Sequence, residues 1–331
     1  MDSEKNYFLN IKSIVILNKI NSYLLDYIQL DFIKYNKKVQ ARFDLTINDY
    51  KDYPGKYSLV KIEIIPTKNK YGIFIKNPKE EEKAYYHIYF DDNKIEEKRN
   101  YLTEADKVSK ITIILDYQVS FKKLFKGCEC IESISFLKFY RNSIKDMSSM
   151  FTDCISLKQI NFTNFNTNNV TNMSSMFNRC SLLTELNLSN FNTINVNDMS
   201  FMFNECKSLG ALNLSNFDTS NVKNMSYMFC GCSSIKEINI QKFNTINVID
   251  MQSMFNRCSS IKALSLSNFN TSKVTNMNYM FNKCISLISV DVSHFNTENT
   301  KNMNNMFYGC LDELKEKILK QNGKIYEAAF K

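Results

Sequence analysis

Seven methionines, Met147, Met173, Met199, Met225, Met251, Met277 and Met303, stand 26 residues apart, without an insertion between them. Each opens a copy of one phrase, Met-x-x-Met-Phe-x-x-Cys-x-x-Leu-x-x-Leu-x-Leu-x-x-Phe-Asn-Thr-x-x-Val, in which aliphatic residues exchange at the leucine positions. A fixed period of this size is the signature of a solenoid, whose coils bury their apolar edges only against their neighbours. Such a chain presents an extended surface in place of a catalytic pocket.

The repeat from Met173 shows how one coil is built. Leu183, Leu186 and Leu188 end in a period-two alternation, which predicts a short strand with Asn187 and Ser189 pointing outward. Phe191 closes the strand, and Asn192-Thr193 follows as a turn, because Asn bonds locally to backbone and tolerates left-handed geometry. The pair recurs in the other copies and predicts a hydrogen-bonded ladder along the turn. Val196, Met199, Met202, Phe203 and Cys206 return at spacings of three and four, and Asp or Asn precedes the first Met, as in Asp146, Asn172 and Asp198. This is N-cap chemistry and predicts one short helical turn opposite each strand. The Met-x-x-Met-Phe stripe keeps its register throughout, so it is assigned to core packing and not to an adaptable Met-lined groove.

Eight of the ten cysteines occupy one repeat position: Cys128, Cys154, Cys180, Cys206, Cys232, Cys258, Cys284 and Cys310. Stacked coils bring successive members to roughly the 4.8 Å of strand spacing, close enough for a disulfide. The preferred reading is a structural ladder of small buried hydrophobes whose S–H groups face backbone carbonyls, suited to a reducing compartment.

A lone coil buries too few apolar side chains to offset the entropy of ordering it, so the array needs ends. Phe121, Leu124, Phe125, Cys128, Ile131, Ile134, Phe136, Phe139 and Ile144 match the repeat in a degenerate first coil. At the far end Glu313 falls where a strand leucine belongs, and LDELKEKILKQNGK places Leu311, Leu314, Ile318 and Leu319 on one helical face with Gly323 as a stop. The expected domains are a helical module over 1–50, a small β module and N-terminal cap over 51–120, the repeats over 121–310 and a helical C-terminal cap over 311–331. Seven strands at about 4.8 Å each predict a parallel sheet roughly 30 Å long.

The Leu-x-x-Leu-x-Leu core followed by Phe-Asn-Thr and Met-x-x-Met-Phe-x-x-Cys resembles the BspA-like leucine-rich repeat family, in particular its 26-residue surface-protein repeat, over about residues 121–310. The resemblance implies an α/β repeat solenoid: a right-handed leucine-rich-repeat-type coil with a parallel sheet on one face, preceded by a small helical plus β N-terminal module. Phe165, Phe191, Phe217, Phe243, Phe269 and Phe295 stand where such repeats place Asn, so the usual asparagine ladder is shifted by one residue. It also implies a protein partner and, as one alternative, a surface adhesin.

Residues 8–44 carry apolar residues at mixed spacings of three and four without Pro or Gly, which predicts two or three short helices. Their arrangement resembles an F-box-like module, implying a Skp1-like adaptor as a second partner and a ubiquitin-ligase substrate receptor as the alternative function. Pro54, Pro66 and Pro78 mark a different region, where VKIEIIP, YGIFI, AYYHIYF and KITIILDY read as strands.

Chemistry is sparse. The net charge of +8 is an excess of 42 Lys and Arg over 34 Asp and Glu, spread over both signs, so nucleic acid is not an expected partner. No stretch reaches the roughly 20 apolar residues that span a bilayer. The start shows no secretory leader, so a cytoplasmic location is expected, with the cell surface as the alternative that the resemblance implies. His87 and His294 lie beside no Cys or carboxylate at metal or triad spacing, and no phosphate-binding glycine loop is present. Cys128-x-Cys130 and Cys230-x-Cys232 are the close cysteine pairs, and Cys130 and Cys230 are their expected exposed members, the place to look for thiol redox chemistry. No enzyme, cofactor or metal is expected.

The expected function is protein binding through outward strand positions: Gln159, Asn161, Glu185, Asn187, Asn213, Glu237, Asn239, Gln241 and Asp291. These are small polar groups without the aromatic or Arg anchors of strong interfaces, so weak or avid binding is expected.

Overall fold

The computed structural model describes residues 59–331, apart from 77, 79, 117–118 and 140. The predicted helices of residues 1–50, with their F-box-like resemblance and Skp1-like adaptor, lie outside the described residues.

The alternation of VKIEIIP makes β1 (Val60–Pro66), with Val60, Ile62 and Ile64 wholly buried. It lies in a five-stranded sheet with β3 (Tyr86–Phe90), β5 (Ile111–Leu115), β6 (Ile131–Phe139) and β7 (Gln159–Asn161), in the order β3-β5-β1-β6-β7. All pairings up to β6 are antiparallel, and β6 then pairs parallel with β7, Ile134 opposite Ile160. The strand of the first coil thus belongs to both the N-terminal sheet and the repeats. Only Gly72–Ile73 of the expected YGIFI strand pairs, as β2 with β4 (Tyr101–Leu102), while Phe74 and Ile75 turn into the core. AYYHIYF is entered through a 3-10 turn, Glu80–Tyr85.

The remaining strands are two or three residues long: β8 (Ala211–Asn213), β9 (Glu237–Asn239), β10 (Ala263–Leu264) and β11 (Ser289–Val290). β8 pairs parallel with β9, and β10 with β11. The expected continuous parallel sheet is therefore in pieces, and residues 185–187 form no strand. One cause of the shortness is local. The N–H groups of Thr163, Ser189 and Ser215 are taken by the side-chain oxygens of Asn161, Asn187 and Asn213, two residues earlier, which removes them from any ladder.

The unbroken backbone column is on the opposite edge. Parallel bridges run Asp146, Asn172, Asp198, Asn224, Asp250, Asn276, Asn302 without a gap. From there Met147, Ser149, Phe151 and Asp153 each donate their N–H to the next repeat, at 2.8–3.0 Å. The intervening Met150, Thr152 and Cys154 donate three residues back within their own coil.

The predicted helical turn is thus a chain of linked β-turns. A helix would spend every N–H within itself, whereas these repeats give every second one to a neighbour. The geometry requires positive φ at two positions per coil, such as Ser149 and Asp153, Ser175 and Arg179, Phe201 and Glu205. Gly127, Gly231 and Gly309 occupy the second of these, all at φ +73. The N-cap chemistry survives without the helix: Asp146 Oδ1 accepts from Ser148 N–H at 2.8 Å.

Met147, Met150, Phe151 and Cys154 and their equivalents are buried, with Cys310 alone among them half-buried. Phe125, Phe151, Phe177, Phe203, Phe229, Phe255, Phe281 and Phe307 stack face to face at 5.1–5.7 Å. Phe330 adds one more ring, 5.5 Å from Phe307. Ala328 and Ala329 supply the carbonyls that another repeat would offer to Asn305 and Phe307.

The helix α1 (Asp312–Gln321) buries Leu314 and Ile318, but Leu311 and Leu319 stay exposed, so the apolar face is narrower than the sequence predicts. Gly323 is not its stop. The chain leaves the helix at an extended Asn322, whose Nδ2 donates to Val292 O and Phe295 O at 3.0 Å each.

Candidate functional site

The outward strand residues line a shallow groove of about 1170 Å³ along the strand edge. Gln159, Asn161, Glu185, Asn187, Asn213, Glu237 and Asn239 are in its wall, over Ile134, Ile160, Leu186 and Leu212. Gln241 and Asp291 are exposed but are not among the lining residues.

Four of the lining side chains form a column, Asn161, Asn187, Asn213 and Asn239, one per repeat. Each accepts the N–H two residues on through Oδ1, at 2.9–3.5 Å. That bond fixes the carboxamide, and the Nδ2 donors have no partner among the described residues. Asp291 continues the pattern, and the hydroxyl and N–H of Ser293 hold its carboxyl below the usual carboxylate range. Glu185 and Glu237 flank Ala211 in the adjacent column, and no Lys, Arg or His lines the groove.

Behind this face three ladders hold the coils together. Thr167, Thr193, Thr219, Thr245 and Thr271 are buried and donate to the carbonyls of residues 192, 218, 244, 270 and 296 at 2.8–2.9 Å. The predicted Asn-Thr ladder is therefore threonine's. The Asn or Asp of each pair instead makes a local turn, as Asn192 Oδ1 does with Ile194 N–H. The asparagine ladder sits immediately before the phenylalanines: Asn190, Asn216 and Asn268 each reach two carbonyls of the preceding coil. His294 takes that place in the last copy, 2.9 Å from Leu266 O. A third column, Asn169, Asn195, Asn221, Asn247 and Asn299, donates to carbonyls 27 residues earlier. The recurring Asn-Phe and Asn-Val pairs were the available signal for the last two.

The sulfur column is equally regular. Cys154, Cys180, Cys206, Cys232, Cys258, Cys284 and Cys310 each direct Sγ to the carbonyl of the Phe 29 residues earlier, at 3.0–3.1 Å. Burial pushes their thiols up, Cys206 to about 12. All ten cysteines are free. Cys130 and Cys230, the expected exposed members of the close pairs, are both buried, with thiols pushed up to about 11 by burial. Cys130 packs its sulfur 3.3 Å from Ile73 O, a contact across 57 residues that spacing cannot reveal. Neither has the exposed, depressed thiolate of a redox cysteine.

His87 does meet carboxylates, Glu96 at 3.5 Å and Asp116 at 3.8 Å, through strand pairing and not through sequence spacing. Among the described residues no group of His, Cys, Asp and Glu is arranged to hold a metal. No described helix is long and apolar enough to cross a membrane.

The family described as "Mycoplasma protein of unknown function, DUF285" matches residues 119–238 and 229–323, more than half of the chain. The chain belongs to this family. The DUF285 matches cover the coils whose turn, sulfur and threonine columns are described above. No curated protein matches the chain. A solved structure, the leucine rich repeat protein TpLRR of T. pallidum, is similar at 19% identity over 62% of this chain and 76% of its own, with a TM-score of 0.31.

Proposed function

We propose that the DUF285 repeats form a right-handed leucine-rich-repeat-type solenoid that acts as a non-catalytic scaffold, binding a protein partner through its strand face. The observation that carries this reading is the column of Asn161, Asn187, Asn213 and Asn239, which line an open groove and whose Nδ2 donors have no partner among the described residues. The Oδ1 bond that ends each strand also restrains the carboxamide. Pinning them removes some of the entropy that a partner must otherwise overcome. The lining, mostly small neutral polar groups with two glutamates and without an exposed aromatic or Arg anchor, supports modest affinity per contact and avidity along the coils.

The test is affinity capture with the full chain and with a variant carrying Asn161→Lys, Asn187→Lys and Asn213→Lys. These side chains are exposed, so the variant is expected to fold. A protein identified by mass spectrometry with the parent chain and lost with the variant supports the reading, and partners retained equally by both contradict it.

A further inference from the structure

We infer that the groove takes an extended basic segment of the partner, with cationic side chains three residues apart. The inference deepens the proposed function and rests on its assignment of the strand face as the binding surface.

Charge complementarity selects the occupant. The chain carries a net +8, yet the groove's only ionisable lining residues are Glu185 and Glu237. Neither carboxylate has an ion pair or side-chain hydrogen bond among the described residues. Lys158 and Lys236, which precede Gln159 and Glu237 in the chain, are outside the lining; Lys158 is engaged by Glu132 at 3.1 Å, and Lys236 is exposed. A nucleic acid or acidic peptide would meet two like charges in the lining and no cation there.

Spacing selects the conformation. Glu185 and Glu237 are two repeats apart, or about 10 Å at the strand step, and Ala211 between them leaves the space open. A polyproline II segment rises about 9 Å per three-residue turn and brings every third side chain back to one face. Lysines at i and i+3 would then reach both carboxylates. The segment's backbone carbonyls, which make no internal bonds, would accept from Nδ2 of Asn187 and Asn213.

Fluorescence anisotropy of the full chain against synthetic peptides tests this. The probes are a proline-rich peptide with lysine at every third position, an isomer with its lysines consecutive, a glutamate counterpart and a neutral labelled oligosaccharide. The first is expected to bind best. Its affinity is expected to fall with added salt, and by about two- to fivefold for each of Glu185→Gln and Glu237→Gln, the range of an exposed ion pair. Asn187→Ala is expected to weaken it as well. Circular dichroism melts identical to the parent's would show these exposed variants to be folded. Binding of the glutamate peptide or oligosaccharide in preference, weakened by Asn187→Ala, would overturn the basic occupant while leaving the strand face in place. Equal affinity for the two lysine isomers would overturn the three-residue register. Lysine-peptide binding that none of the groove variants changes would remove both the inference and the strand-face assignment. Failure of every probe to bind would overturn the inference alone, since partner capture tests the face separately.

Discussion

Thr219 and Asn244 grip each other in both directions: the buried threonine hydroxyl donates to Asn244 O at 2.9 Å and accepts from Asn244 N–H at 2.8 Å. One side chain thereby satisfies two backbone groups of the next coil, the full use of a hydroxyl in a water-free position. Thr219→Val keeps the shape and leaves both groups unpaired, which costs about 2–4 kcal/mol at the usual penalty for buried unsatisfied groups. Urea unfolding should show that loss for valine and much less for Thr219→Ser. A valine variant as stable as the parent would mean that the ladder contributes nothing.

The amide of Asn216 has an equivalent role in the neighbouring column, donating to Leu188 O at 3.0 Å and Phe191 O at 2.9 Å. Asn216→Ala should lower stability by about 1–3 kcal/mol. Asn216→Asp should be worse at neutral pH, because it aims a carboxylate at two carbonyl oxygens. Melting temperatures of the two variants give the order directly.

The repeat and its inward positions were legible because a strict period puts each residue type into one column. The mode of coiling was not. Met147, Met150, Phe151 and Cys154 recur at helical spacing, but linked turns with positive φ at Ser149 and Asp153 bring the same residues inward. Spacing alone does not separate the two. Glycine does, since Gly127, Gly231 and Gly309 share one repeat position and that position has left-handed backbone. The outward strand residues were also legible from alternation. That seven of them share one groove while Gln241 and Asp291 do not depends on how the coils are set against one another, which no single repeat encodes.

Those glycines make a clean test of the turns. A Cβ at Gly127 would meet nothing within 4 Å, so Gly127→Ala tests the backbone alone and should cost about 1–2 kcal/mol. At Gly231 the added carbon would collide with Glu205 Oε1, so Gly231→Ala must also displace that side chain and should cost somewhat more. Thermal melts that place both variants level with the parent would contradict the left-handed turns.

The thiol column predicts alkaline sensitivity. Folding raises these pKa values, so the folded chain holds its protons where an unfolded thiol, near 8.5, has begun to lose them. Their contribution is complete below about pH 8.5 and falls as pH rises toward the folded value, about 12 for Cys206. Stability should therefore decline steadily from about pH 8.5 upward, and Cys206→Ala should shallow the slope. In the folded protein a thiol reagent should modify Cys310, the one half-buried cysteine, before the rest.

Hydrogen exchange resolved to single amides tests most directly whether the repeats are joined through the turn column. The N–H groups of Phe177, Phe203 and Phe229 are bonded to the next coil at 2.9 Å, beside fully buried side chains. Those of Leu186, Asn187 and Leu188 lie in a segment that forms no strand. The three phenylalanine amides should be among the slowest in the protein, and the three strand-edge amides should exchange orders of magnitude faster. Slow exchange at 186–188 together with fast exchange at the phenylalanines would contradict the stacking described here.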